Sequence, residues 1–95
     1  AECIGGLVYV NAIEPGAPAI IGAWPFVSDL RTGAMSGGSP EPGLISSGCA
    51  QLGLCFDLPF GTACGMTDAN MPDLQAGAER AHTMMPPALA GGNLI

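Results

Sequence analysis

The sequence contains no lysine, and its only basic residues are Arg31 and Arg80, set against eight acidic ones. A net charge of −6 and a pI near 4.1 leave nothing to neutralise phosphates, which argues against a nucleic-acid partner. The same shortage argues against a basic helix lying on a membrane surface. No apolar run approaches the ~18 residues of a membrane span. The longest candidates, Gly5–Val10 and Ala17–Trp24, are short and broken by Asn, Pro or Gly. There is one histidine and no Cys-x-x-Cys pair, so a structural zinc site is not expected. The start, Ala1-Glu2-Cys3, lacks the basic stretch that opens a signal peptide.

Charge of either sign is scarce. Charged residues make up 11% of the chain, against roughly 25% in an ordinary soluble domain. Hydrophobic residues make up 48%, which excludes disorder from want of apolar side chains. A small free globule needs charge to cover a surface that is large for its volume. Residues 1–95 therefore read as interior, part of a larger domain rather than a whole one. Four cysteines, at 3, 49, 55 and 64, would allow a secreted disulfide framework. Cys49, Cys55 and Cys64 lie in apolar stretches, however, where a free thiol behaves as a small hydrophobe. Reduced thiols and a cytoplasmic location are the expectation.

Glycine and proline punctuate the rest. Ile4, Leu7, Val8, Ala12 and Ile13 approximate helical spacing over 2–14, and Pro15-Gly16 ends that helix. Ala19–Gly22 is a short apolar strand, followed by a long loop from Ala23 to Gly38. Ser39 as N-cap, Pro40 at the first position and Glu41 in the first turn predict a helix over 39–56. Its stripe is Leu44, Ile45, Cys49, Leu52 and Phe56. A second strand spans 60–64. A third helix spans 72–90, capped by Asn70 or Asp73, with a stripe through Leu74, Ala78, Ala81, Met85 and Leu89. Pro86-Pro87 should kink or interrupt it. Asn93-Leu94-Ile95 begins a further strand. Strand starts at Ala19, Phe60 and Leu94 are 41 and 34 residues apart, which suits βα units of roughly 30 residues or more. The expectation is an α/β chain of about two and a half β/α units with short parallel strands.

In parallel α/β folds, chemistry sits in the loops that follow the strands. The first loop carries Trp24, Phe26, Asp29 and Arg31, and the second carries Thr67, Asp68 and Asp73. Six of the ten formal charges (Asp29, Arg31, Glu41, Asp68, Asp73 and Glu79) lie in or beside these loops. Trp24 and Phe26 could face a cationic ligand or simply pack. Arg31 could hold a carboxylate or pair with Asp29 or Glu41. Asp73 reads as a cap, His82 as a surface or core histidine, and Asp57 as a turn residue. Gly33–Gly38 matches no phosphate-binding pattern.

The ordered segments Pro15–Gly22, Asp29–Ala34 and Gly38–Glu41 resemble the trimethylamine methyltransferase family. Leu58-Pro59, Thr67–Gly77 and Leu89–Ile95 continue the resemblance, which runs from about Gly5 to Ile95. It implies that residues 1–95 are a segment of a TIM (β/α)8 barrel. It also implies a reaction, transfer of a methyl group from a methylated amine to the Co(I) of a corrinoid held by a separate protein. No cofactor is then bound directly. The partners implied are the corrinoid protein, the amine, and either the remainder of the barrel or further copies of the chain. Family members without pyrrolysine, as here, resemble demethylases of quaternary amines such as glycine betaine. On that reading Asp68 and Glu41 are the catalytic candidates, complementing the cation. Trp24, Phe26, Asp29, Arg31 and Thr67 are the substrate-binding candidates, and no residue is assigned to a metal. The competing readings are a small non-catalytic protein that associates with itself and a secreted disulfide-stapled protein.

Overall fold

The computed structural model describes residues 1–95. The elements follow in the order α1 (Glu2–Ile13), β1 (Ile21–Ala23), β2 (Val27–Ser28), β3 (Met35–Ser36), α2 (Pro40–Cys55), β4 (Phe60–Thr62) and α3 (Leu74–Leu89). β1 and β4 pair in parallel, in the register Ile21–Phe60, Gly22–Gly61 and Ala23–Thr62. A parallel bridge joins Gly61 to Leu94 on the opposite edge of β4. α2 is thus the crossover from β1 to β4, and α3 the crossover from β4 to the segment at Leu94. The expected α/β order with short parallel strands is present, with helix boundaries within two residues of those read from the sequence.

The long loop from Ala23 to Gly38 is not continuous coil. It contains an antiparallel hairpin that pairs Val27 with Ser36 and Ser28 with Met35. Asp29 builds its turn, accepting from Arg31 N at 2.8 Å and Thr32 Oγ1 at 3.0 Å. Gly33, at φ +72°, supplies the left-handed residue that closes it. Strands this short carry no alternation to read.

The helix caps divide. Asp73 caps α3, its carboxylate accepting from Ala76 N at 2.9 Å. Ser39 takes the N-cap position of α2, but its hydroxyl is buried without a hydrogen-bond partner. An N-cap side chain needs the N–H of the second or third helical residue. Pro42 has none, and the Glu41 amide serves the Glu41 carboxylate.

Pro86 and Pro87 do not interrupt α3, which runs through to Leu89. Pro86 cannot donate to the carbonyl of His82, one turn earlier. α2 comes close at that carbonyl, since a Cβ added to Gly43 would lie 2.5 Å from His82 O. The chain loses a helical hydrogen bond where a glycine of the facing helix packs against the freed oxygen.

The apolar stripes also fall differently. The residues α2 buries are Pro42, Gly43, Ser46, Ala50 and Gly53, and those α3 buries are Ala76, Thr83 and Pro87. Leu44, Ile45, Leu52, Phe56, Leu74, Met85 and Leu89 are exposed, and α1 buries no residue. Small residues let α2, α3 and β4 approach closely, and the large ones point away from that contact. The hydrophobic core is confined to Ala50, Phe60 and Ala76. No helix is long and apolar enough to cross a membrane, and all four cysteines are free.

Candidate functional site

Both loops that follow the parallel strands meet at the C-terminal end of the sheet, and Asp68 joins them. Its Oδ2 accepts from Ser36 Oγ at 2.9 Å and from Gly38 N at 3.1 Å, while Oδ1 accepts from Gly37 N at 2.9 Å. One carboxylate in the β4 loop therefore fixes the exit of the hairpin, some thirty residues earlier. These backbone amides, with the Ser36 hydroxyl, hold the Asp68 carboxyl below its ordinary value. Asp68 stays exposed and ionised at neutral pH.

Glu79, on the first turns of α3, holds the β4 loop from beneath. Its Oε2 accepts from Thr67 Oγ1 at 2.6 Å and from Asp68 N at 2.8 Å, and its Oε1 accepts from Gln75 Nε2 at 2.7 Å. The Thr67 hydroxyl leads the donors that lower its carboxyl, against a smaller opposing repulsion from Asp68. Neutral donors thus keep two neighbouring carboxylates charged. Gly38 makes the approach possible, because a Cβ there would run into the Glu79 carboxylate and lie 2.9 Å from Asp68 N.

Glu41 joins from α2. It is exposed, and its carboxyl is lowered chiefly by its own backbone N–H. The adjacent Ser39 hydroxyl adds a weaker pull without meeting hydrogen-bond geometry, and His82 adds a Coulombic one. His82 Nε2 lies 2.6 Å from Gly38 O, which fixes Nε2 as the protonated nitrogen, because a carbonyl only accepts. The half-buried histidine is thus tied to the loop rather than idle on the surface.

The sequence candidates separate into two groups. Asp68 and Thr67 meet beside Gly37-Gly38, and Glu41 follows three residues later in the first turn of α2, with no hydrogen bond to either. Asp29 and Arg31 sit in the hairpin turn, where Asp29 takes the Arg31 amide rather than its guanidinium. Asp29 is lowered by that amide first and by the Thr32 hydroxyl second. Trp24 and Phe26 lie between β1 and the hairpin, 69% and 46% exposed, so neither ring is consumed by packing within this chain. A hollow of about 480 Å³ opens between the β4 loop and α3, lined by Thr67, Asn70, Asp73 and Arg80 among others. No group of three or more His, Cys, Asp or Glu side chains is placed to hold a metal ion.

Sequence reasoning counted Glu79 among the charges beside the loops but gave it no role, and it passed over Gln75, Ser36 and the Gly37-Gly38 pair as partners of Asp68. One signal for Glu79 existed, since Gln75, Glu79 and Thr83 recur at spacing four and share a face of α3. The Gly-Gly pair carried none, because what it contributes is backbone amides.

The family model described as trimethylamine methyltransferase (MTTB) matches residues 1–95. The trimethylamine methyltransferase MttB of Methanosarcina barkeri is 42% identical over 95 residues, covering all of this chain and 19% of that protein. The glycine betaine methyltransferase of Desulfitobacterium hafniense is 38% identical over 95 residues, covering all of this chain and 20% of that protein. The chain spans about a fifth of the length of the curated relatives it matches. Matched from its first residue to its last, it belongs to the trimethylamine methyltransferase family.

Proposed function

We propose that the protein carrying this chain transfers a methyl group from a quaternary amine of the glycine betaine type to the Co(I) of a corrinoid on a partner protein. In this reading residues 1–95 are part of a (β/α)8 barrel whose mouth is the loop cluster described above. By themselves they do not catalyse. The observation that carries it is the Asp68 carboxylate, pinned, exposed and ionised where the two strand-following loops meet. The relatives named for trimethylamine and for glycine betaine supply the substrate class.

A quaternary nitrogen is already cationic. When its bond to the methyl carbon breaks, the electron pair stays on nitrogen, which leaves as a neutral amine and needs no proton. The corrinoid, when docked, supplies the nucleophile for the methyl carbon. What remains for this chain is to hold and orient the cation. Asp68 and Glu41 offer fixed negative charge, and Trp24 and Phe26 offer aromatic faces that attract an ammonium. Thr67 sets the loop that carries Asp68, and Asp29 and Arg31 bind through the hairpin tip they build. Because the positive charge on nitrogen fades as the bond breaks, a carboxylate favours the bound substrate over the transition state. Asp68→Asn in the full-length protein should therefore raise KM by roughly 1.5- to fivefold, the range of an exposed, water-screened charge pair, and change kcat less. A KM equal to that of the wild type would remove Asp68 from the site.

A further inference from the structure

We infer that Glu79 is a positioning residue that sets the Asp68 carboxylate for the amine. The proposal rests on the reading of Asp68 just given. Asp68 is held from both ends. Ser36, Gly37 and Gly38 fix its carboxylate, and Glu79 alone fixes its backbone N–H, at 2.8 Å. The same Glu79 oxygen takes the Thr67 hydroxyl at 2.6 Å, so the peptide preceding Asp68 is anchored to α3 on both sides. Thr67 Oγ1 in turn accepts from Ala69 N at 3.0 Å, which carries the constraint one residue beyond Asp68.

Glu79 is itself oriented. Gln75 Nε2, one helical turn earlier, donates to its other oxygen at 2.7 Å. The carboxylate lies in the space that a Cβ at Gly38 would fill, so it sits against the Gly38 backbone. A carboxylate accepts all three of these hydrogen bonds without conflict. A glutamine can keep its oxygen on Thr67 and Asp68 only by turning its NH₂ to Gln75, whose amide must then flip to accept, and a neutral oxygen holds both donors more weakly than a carboxylate does. Glu79→Gln is nearly isosteric, so its effect reads hydrogen-bond direction and charge rather than volume. Glu79 acts through Asp68 and makes no contact with the amine in this account.

The test is a double-substitution cycle in the full-length protein. Methyl transfer to the corrinoid protein is assayed from whichever of glycine betaine and trimethylamine the wild type demethylates. Glu79→Gln alone should raise KM by roughly 1.5- to fivefold, matching Asp68→Asn, with kcat within about twofold. In the Asp68→Asn background it should add nothing further. Gln75→Ala, on the exposed face of α3, is the milder companion should Glu79→Gln fold poorly. It should raise KM by roughly two- to threefold in the wild-type background and not at all beside Asp68→Asn. A fall in kcat at constant KM, in step with the folded fraction, would show Glu79 to be merely structural and overturn the proposal. So would losses that multiply in the double variant. If Asp68→Asn alone leaves KM unchanged, or the wild type demethylates neither amine, the underlying reading fails and takes this proposal with it.

Discussion

Asp68 and Glu79 keep their charges because neutral donors surround them, and that makes the loop junction sensitive to acid with a defined sign. Both carboxyls are lowered in the folded protein, from ordinary values of 3.8 and 4.5. A lowered folded value means the stabilisation is fully present above the ordinary value and is lost as pH falls through the folded one. The thermal midpoint of the full-length protein should hold steady from neutral pH down to about pH 5 and then fall, and Asp68→Asn should flatten part of that acid limb. An unchanged acid limb in the variant would show that the Ser36 and Gly37-Gly38 bonds do not form. Gly38→Ala tests the same junction sterically. It forces the Glu79 carboxylate off the β4 loop, so it should raise KM and speed exchange of the Asp68 amide, while Gly48→Ala, whose Cβ meets nothing, should do neither. At this scale the sequence was half readable. Asp68 stood out as a charge in a loop of a charge-poor chain. Its partners did not, since amides at residues 37 and 38 have no side-chain signature and lie about thirty positions away.

Helix positions were legible at the level of elements, and helix faces were not. Turn residues, the Asp73 cap and Pro40 at the start of α2 located each helix to within two residues. The stripes of Leu, Ile and Phe pointed to the wrong faces, because α2 and α3 bury small residues, Gly43, Ala50, Ala76 and Thr83 among them, and Gly43 of α2 packs against His82 and Thr83 of α3. Side-chain size decided this. Close approach to β4 and to the His82 carbonyl requires residues with little or nothing beyond Cβ. Gly43→Ala should therefore push α2 from α3 and destabilise the protein by about 1–3 kcal/mol, the usual cost of overpacking. Asp73→Ala should cost about 1 kcal/mol through loss of the α3 cap. Denaturant unfolding of the full-length variants measures both. A Gly43→Ala protein as stable as the wild type would contradict the α2–α3 packing. The hairpin at 27–36 was illegible for a different reason. It is held by Asp29 turn chemistry and by Asp68 from outside, not by a hydrophobic pattern.

Across the whole molecule, most large hydrophobic side chains lie at the surface. Tyr9, Met71, Leu74 and Leu89 are between 69% and 91% exposed, while Ala50, Phe60 and Ala76 are the only hydrophobic residues buried. Such a surface calls for cover, and the free edges of β1 and the Leu94 segment are templates for further strands. Residues 1–95 alone should sediment as associated species without a cooperative thermal transition. A monodisperse, cooperatively melting monomer would refute that. Low charge and high apolar content foretold this surface, because a chain so composed carries more large apolar side chains than its small core buries. The activity is tested most directly by mixing the full-length protein with a reduced corrinoid protein and glycine betaine, and following Co(I) absorbance together with the demethylated amine. The account predicts loss of Co(I) in step with release of one neutral tertiary amine per methyl transferred, weakened at low betaine by Asp68→Asn. Persistence of Co(I) with glycine betaine and with every other quaternary amine supplied would contradict it.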